Sequence, residues 1–182
     1  MSAFVTLSDV KSALGIDGTA QDGQISAVLE GVDDVIAGYC GRAIAQAAIE
    51  EYHDGGAASL VVTAFPIAAS PALTITDRVY GGAVSTSTYD LDLTAGVISL
   101  KPSCGIFNRG TRRYKVSYTG GFSPGSAPGA IKSAIIKIVE AHTRPAGLIS
   151  ESDMGYSYTL ESGNGTGVPA IAQSYLEKYK TY

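Results

Sequence analysis

Tryptophan is absent from this sequence of 182 residues, and cysteine, methionine and histidine each occur only twice. Two cysteines, Cys40 and Cys104, are too few for a disulfide framework, so we expect both to be reduced. No hydrophobic run approaches the roughly 20 residues that a membrane-spanning helix needs, and we expect no membrane partner. The first residues lack a basic segment followed by an apolar one, so we expect no signal peptide.

Acidic and basic residues are separated along the chain. Residues 1–54 carry nine acidic residues against Lys11 and Arg42, whereas residues 101–115 carry five basic residues and no acidic one. A chain with an acidic end and a basic middle can attract a second copy of itself head to tail. The alternative is that both regions are ordinary solvated faces. The formal net charge of −4 argues against a general nucleic-acid binder.

Helical hydrophobic spacing is found at both ends of the sequence. The first such segment carries Leu7, Val10 and Leu14 and ends at Gly15. Thr6 and Thr19 each stand three residues before an aspartate, which predicts that both cap a helix. Four helices are predicted, because apolar residues recur every three or four positions over 7–14, 25–39, 131–142 and 168–179, and the second of them ends near Cys40.

Between Tyr52 and Tyr118 the hydrophobic period changes from 3.6 to 2, which predicts strands. The sequence therefore predicts an α+β fold, in which a small bundle of about four helices carries an inserted antiparallel β-sheet and hairpin region. Residues 154–160 fit a strand or an extended arm, and the composition of 161–167 predicts a flexible linker. The predicted strands are 59–63, 73–76, 89–93, 97–100 and 113–118, and the third and fourth form a hairpin.

Residues 121–125, GFSPG, match the G-x-S-x-G pattern of the nucleophile elbow in α/β-hydrolases. The oxyanion hole of that elbow uses the backbone N–H of the residue after the serine, and here that residue is Pro124, which has none. The only histidine downstream, His142, falls on the apolar stripe of a predicted helix. We therefore predict a turn at Ser123 and no catalytic residue. A small hydrolase that uses Ser123 is the enzymatic alternative.

The sequence has few residues that could bind a metal ion or act as a catalytic pair of acids. His53 and His142 are far apart in the sequence and have no cysteine pairing, so the sequence gives a zinc site no support. The polar cluster 50–54 favours a solvated junction between helix and sheet, and metal binding there is the alternative. Asp33 and Asp34 occupy adjacent helical positions that face different directions, which does not suit shared acid–base work. We predict no metal and no cofactor.

Five segments in a fixed order carry a family resemblance. They are TLSDVKSALGI (6–16), GYCGR (38–42), KVSYTGGF (115–122), PGAIKSAIIKIV (128–139) and GYSYTL (155–160). In this order they resemble the head-tail connectors of tailed bacteriophages, the adaptors that lie beneath the portal and continue the neck. The resemblance spans nearly the whole chain. It implies one connector domain over 1–182, with helices in 1–51, a β insertion in 52–119, a core helix in 128–144, and an arm and final helix in 146–182.

The resemblance also implies a structural function without a cofactor. Such adaptors assemble as a ring, typically of twelve subunits, between the portal and a stopper or tail-completion protein, and DNA passes through the ring without sequence readout. We therefore expect the protein to be made in the bacterial cytoplasm and to reside in the neck of the virion. The alternative within the same class is another neck or tail-completion protein.

A closed ring needs two different patches that complement each other. We predict that the basic segment contacts a neighbouring subunit or the DNA channel, and that Asp33 and Asp34 contact a subunit. Charge reversal at Arg112 and Arg113 should then weaken ring formation. The basic residues concerned are Arg109, Arg112, Arg113 and Lys115.

The last amphipathic helix follows the predicted linker. A helix on a flexible arm can dock in a groove of a partner. We predict docking on the portal through Tyr175, Leu176 and Tyr179. The alternative is that this helix packs on the chain's own core.

Overall fold

The computed structural model describes residues 2–143, 150–153, 156–159 and 168–180. It confirms the predicted α+β fold. The chain forms two compact units, Met1–Gly41 with Ser123–Tyr182, and Arg42–Phe122. We call them the helical unit and the β unit. None of the helices in the described ranges has the length and apolar character required to cross a membrane.

Two helices come first in the described chain, seven strands follow, and a helix, two short strands and a last helix come after them. In chain order they are α1 (Leu7–Leu14), α2 (Asp22–Cys40), β1 (Ala47–Gly55), β2 (Ser59–Val61), β3 (Thr74–Asp77), β4 (Gly82–Ala83), β5 (Tyr89–Asp92), β6 (Val97–Leu100), β7 (Gly110–Gly120), α3 (Gly129–Thr143), β8 (Ser150–Asp153), β9 (Tyr156–Thr159) and α4 (Ala170–Leu176). Short 3₁₀ turns lie at Thr86–Thr88, Pro102–Cys104, Pro124–Ser126 and Glu177–Tyr179.

Helix α3 is the centre of the helical unit, because it packs against α1, α2 and α4. The apolar stripe predicted for it is buried, except that His142 at its end is exposed. Strands β8 and β9 pair with each other as an antiparallel hairpin. The predicted linker 161–167 lies outside the described residues. The buried residues of α3 are Ile131, Ala134, Ile135, Ile138 and Val139.

The two predicted helix caps have different outcomes. Thr6 caps α1 in a full capping box with Asp9, as its sequence pattern predicts. The cap predicted at Thr19 is wrong, because α2 begins at Asp22 with Gln21 before it and no side-chain cap. The Asp22 carboxylate instead accepts a hydrogen bond of 2.7 Å from Lys11 Nζ.

The β unit contains two antiparallel sheets. One has the strand order β1-β7-β3-β4 and the other the order β2-β6-β5. The predicted hairpin is confirmed as β5 and β6, with Tyr89 opposite Leu100 and Asp92 opposite Val97. One apolar core includes Leu60, Ile75, Ile98, Phe107 and Val116.

Strand β1 is the main element that the sequence analysis missed. It begins at Ala47, inside the region 1–51 that was predicted to be helical, and the β unit itself begins at Arg42. The strand lies at the edge of its sheet, and its residues alternate only between half-buried and exposed. Such a strand lacks the strong apolar alternation by which strands are recognised in a sequence.

The two ends of the β unit are hydrogen-bonded to each other. The Phe122 N–H donates to the Ile44 carbonyl over 2.8 Å, and the Gln46 N–H donates to the Phe122 carbonyl over 3.1 Å. Gly121 lies between β7 and this contact with φ of 101°. A Cβ at Gly121 would lie 2.6 Å from the Ala45 carbonyl oxygen, so this close approach requires glycine.

Candidate interaction surface

Ser123 lies in a turn, as its sequence context predicts. Pro124 begins a 3₁₀ turn directly after it, and the Ser123 hydroxyl lies 2.8 Å from the Ser126 hydroxyl. The imidazole Nδ1 of His142 lies 2.8 Å from the Ile138 carbonyl oxygen of its own helix. Nothing in this arrangement activates the Ser123 hydroxyl, because no base contacts it among the hydrogen bonds of the described residues.

The polar residues 50–54 lie on β1 and not at a junction between helix and sheet, so that prediction is wrong. Glu50, Tyr52 and Asp54 are exposed on one side of the strand, while Glu51 and His53 are half-buried on the other. His53 Nε2 lies 3.1 Å from a Glu51 carboxylate oxygen. In the parts of the chain that the structure describes, no group of three or more histidine, cysteine or acidic residues could hold a metal ion.

Glu51 joins β1 to the segment that follows β2. Its carboxylate accepts hydrogen bonds from the Thr63 N–H, over 3.1 Å, and from the Thr63 and Tyr118 hydroxyls. The Tyr118 oxygen in turn accepts from the Ala64 N–H over 3.0 Å. Burial, followed by the hydrogen bond to Glu51, raises the pKa of Tyr118 to about 12. These contacts form a structural network that keeps the Tyr118 phenol neutral.

Arg113 is neutralised inside the sheet. Its Nε donates to Oδ1 of Asp77 over 3.1 Å and its Nη2 donates to Oδ2 over 2.8 Å, which is a bidentate pair. The two side chains are only 10% and 11% exposed. The hydrogen bonds from Arg113 hold the pKa of Asp77 below its usual value, and those to Asp77 raise the pKa of Arg113.

Lys115 is also paired within the sheet. Its ammonium lies 2.6 Å from a carboxylate oxygen of Glu50 on the adjacent strand β1. This hydrogen bond raises the pKa of Lys115 and lowers the pKa of Glu50. Two of the four basic residues predicted as contacts therefore already have acidic partners in their own chain.

Arg112 differs from those two because its side chain is exposed. Its guanidinium carbon lies 4.8 Å from the centre of the Tyr52 ring, and that of Arg78 lies 5.1 Å from the same ring. Among the ion pairs of the described residues, neither arginine has a carboxylate partner within 4.0 Å. Arg109 is exposed as well, and its carbonyl accepts a hydrogen bond of 3.1 Å from Arg113.

The backbone at Arg112 is held in an unusual conformation. Its φ of 46° makes it the one non-glycine residue with positive φ in the described chain. The Arg112 N–H donates to the Asp54 carboxylate over 2.6 Å, and its carbonyl accepts from Arg78 Nη1 over 3.0 Å. Left-handed backbone in a bulky residue persists only where its surroundings fix it. These contacts therefore present the Arg112 side chain in a defined direction.

The turn between β3 and β4 completes this surface. Val79 is 65% exposed and Tyr80 is 77% exposed, and the Arg113 guanidinium lies 5.1 Å from the Tyr80 ring centre. We call Tyr52, Arg78, Val79, Tyr80 and Arg112 the arginine tip. Only Arg112 among these residues is predicted from the sequence, because no local motif signals the others and only the pairing of β3 and β1 with β7 brings them together.

The predicted acidic contacts lie on α2 in two different environments. The Asp33 carboxylate accepts hydrogen bonds from the Ser2 hydroxyl over 2.8 Å and the Ala3 N–H over 2.6 Å. Asp34 and Glu30 are exposed one turn apart. No ion pair to either is present among the described residues. Asp33 thus holds the N-terminal segment, whereas Glu30 and Asp34 are available to a partner.

A model of one protein family, described as head completion protein, matches residues 3–182. The chain belongs to the head completion protein family. This result confirms the resemblance to phage connectors, and it gives the chain a structural role in completing a phage head. No curated protein matches the chain.

The fold of this head completion protein is similar to chains solved in gene transfer agent (GTA) particles. A chain in the neck of an empty GTA particle, computed with C6 symmetry, has a TM-score of 0.61 at 14% identity and covers 98% of this chain and 90% of its own. One in the virion of a native GTA particle has a TM-score of 0.62, 14% identity and the same coverage. A third, in a native GTA neck computed with C12 symmetry, has a TM-score of 0.53 at 15% identity, and the match covers 100% of this chain and 96% of that one. At these identities the likeness concerns the fold.

The final helix of the head completion protein packs on its own unit. Leu176 is fully buried and Tyr179 is 9% exposed, whereas Ile171 and Tyr175 are 50% and 36% exposed. The portal-docking role predicted for this helix stays a prediction. Within it, Ile171 and Tyr175 are the large apolar side chains that a partner can reach.

Proposed function

We propose that this head completion protein is a ring-forming joint in the neck of a phage particle, with the portal on one side and a stopper or tail-completion protein on the other. The observation that supports this most directly is the match of the family over residues 3–182. Nearly the whole chain also shares its fold with chains in neck reconstructions computed with C6 and C12 symmetry. A ring of twelve copies is compatible with both symmetries.

The proposal requires a contact between two different patches on each subunit. Heterologous contacts close into rings, whereas a two-fold contact between identical patches stops at a dimer. The protein has separate acidic and basic regions, which suits such a contact. DNA passes through the ring, and the protein contributes no sequence readout and no catalysis.

Light scattering of the purified chain over a range of concentrations, with electron microscopy of the same samples, tests the ring. We expect closed rings of about a dozen subunits at high concentration. Dimers as the largest species would contradict a heterologous contact. Labelling with a serine-reactive fluorophosphonate tests the absence of hydrolase activity, and we expect Ser123 to stay unlabelled.

Binding to the portal protein of the same phage tests the partner. Because Leu176 and Tyr179 are buried, deletion of the final helix would damage the fold. Substitution of the exposed pair, Ile171→Ser with Tyr175→Ser, is the sharper experiment. We expect weaker portal binding with an unchanged melting temperature. Full binding by this variant would exclude α4 as the docking element.

A further inference from the structure

The arginine tip holds two positive charges close together, and neither guanidinium has a carboxylate partner among the ion pairs of the described residues. Arg78 and Arg112 both lie within about 5 Å of the centre of the Tyr52 ring. Like charges held in one place repel each other, and the ring offsets only part of this repulsion. The Arg112 N–H donates to the Asp54 carboxylate and the Arg112 carbonyl accepts from Arg78, and these hydrogen bonds fix the arrangement before any partner binds. The tip is therefore preorganised for an anionic partner.

The side chains around these arginines indicate the kind of partner. Val79 and Tyr80 are among the most exposed large apolar residues of the described chain. Phosphate groups gain nothing from such side chains, whereas protein interfaces bury tyrosine and arginine in preference to other residues. The net charge of −4 also disfavours DNA as the partner. An acidic protein surface fits the tip better than a nucleic-acid backbone does.

The chain itself carries such a surface on α2. Glu30 and Asp34 are exposed at positions i and i+4, where like charges destabilise a helix unless a cation lies between them. Val35 is exposed beside them, and a Cβ placed at Gly31 or Gly38 would meet no atom within 4 Å. This face is thus flat, acidic and unpartnered within the described chain. We call Glu30, Gly31, Asp34, Val35 and Gly38 the acidic face.

We propose that the arginine tip of one copy binds the acidic face of α2 in the next copy, and that this contact builds the ring. The inference rests on the proposed function, and it names the two patches that a heterologous contact needs. Arg78 and Arg112 bind the carboxylates of Glu30 and Asp34. Arg113 takes no direct part, because Asp77 already neutralises it.

Complementation between two variants tests the contact. One variant carries Arg78→Glu and Arg112→Glu, and the other carries Glu30→Arg and Asp34→Arg. All four side chains are exposed, so we expect both variants to keep the wild-type circular dichroism spectrum. The tip variant also loses the hydrogen bond from Arg78 to the Arg112 carbonyl, so its melting temperature should fall slightly. Each alone should require at least about a hundredfold higher concentration than the wild type to assemble, because two close charge pairs become repulsive.

Mixing the two variants should restore rings. In an alternating ring each reversed tip meets a reversed acidic face, and each native tip meets a native acidic face. Lys101→Glu is the matched control, because it reverses a half-exposed charge of the β unit outside the tip, and it should assemble like the wild type. Lys101 has only a 3.9 Å ion pair with the exposed Asp90, so its loss should cost little. A simple loss of folding in either variant could not produce rings on mixing.

The outcomes separate this inference from the proposed function. If the wild type forms rings and both variants still do, the inference is wrong and the ring stands. If each variant fails alone and their mixture also fails, other surfaces build the contact, and the inference is again overturned. If the tip variant keeps its rings but loses affinity for a short DNA duplex in fluorescence anisotropy, the tip binds nucleic acid instead. A wild type that never forms rings contradicts the proposed self-assembly itself.

Discussion

Removal of a single atom, the hydroxyl oxygen of Tyr118, should markedly destabilise the β unit. It donates to the Glu51 carboxylate and accepts from the Ala64 N–H, so it ties β7 to β1 and to the segment after β2. Tyr118 is 4% exposed and Ala64 is 1% exposed. Water therefore cannot replace the lost partner easily. The substitution Tyr118→Phe removes this one atom and leaves the ring in place.

The size of the effect follows from the two bonds. A hydrogen bond to a charged group contributes about 1.5–3 kcal/mol, and a buried N–H left without an acceptor costs about 1–3 kcal/mol. Glu51 keeps its bonds from Thr63, which limits the total. We expect Tyr118→Phe to lower the free energy of unfolding by about 3 kcal/mol.

Urea unfolding, followed by circular dichroism and tyrosine fluorescence, measures this loss. A drop of about 3 kcal/mol should lower the urea midpoint by about 1–2 M. If the two units unfold separately, the transition of the β unit should move and that of the helical unit should not. Tyr52→Phe removes the same atom from an exposed ring and should change the free energy by less than about 0.5 kcal/mol. Equal midpoints for the two variants would refute the reasoning about the network.

The same network predicts a dependence on alkaline pH. The pKa of Tyr118 is raised from 10.0 to about 12 in the folded protein. Between these values the unfolded chain releases the phenolic proton while the folded chain keeps it. The stabilisation is therefore complete below pH 10 and is lost as the pH rises through 12. The stability difference between wild type and Tyr118→Phe should shrink by about 2–3 kcal/mol over this range.

Three further predictions concern single substitutions at a turn, a helix cap and a helix. Gly121→Ala should lower the free energy of unfolding in urea by about 3 kcal/mol, because φ is positive there and the added methyl group would meet the Ala45 carbonyl. Gly82→Ala is the control, because a Cβ there would meet no atom within 4 Å, and equal losses in the two variants would contradict the clash. Thr6→Ala should cost about 1 kcal/mol through loss of the capping box, and an unshifted thermal melt would show that the box contributes nothing. Gly31→Ala should stabilise α2 by about 0.8 kcal/mol in the monomer, visible as slower amide hydrogen exchange, whereas faster exchange would indicate a hidden clash.

The helical part of the fold could be predicted from the sequence because its signals are local. Apolar spacing placed α3 and its buried residues, and the hydroxyl of Thr6 with the carboxylate of Asp9 marked the start of α1. The failure at Thr19 has a local cause too, since the Asp22 carboxylate that completes the pattern is paired with Lys11. At this position the acidic residue of the capping pattern has a different partner, and the helix starts without a side-chain cap.

The candidate surface could not be predicted in the same way. Arg112 and Arg113 are neighbours in the sequence, yet one is exposed over Tyr52 and the other is held by Asp77. The register of β3 against β7 places Asp77 opposite Tyr114, and nothing in the sequence near either strand specifies this pairing. Charge counts along the chain therefore identified a basic segment but not which of its members are available to a partner.

The ends of the β unit meet at Ile44, Gln46 and Phe122, where two backbone hydrogen bonds join the incoming and outgoing chain. Because the first and last residues of the β unit are hydrogen-bonded neighbours, the distance between them does not depend on how many residues lie between them. Evolution can then lengthen, shorten or exchange the sheets between these ends without changing the span that the rest of the chain must bridge. The β unit can in this sense be exchanged as a whole, but the arginine tip that it carries should change only together with the acidic face of α2 that we propose it binds.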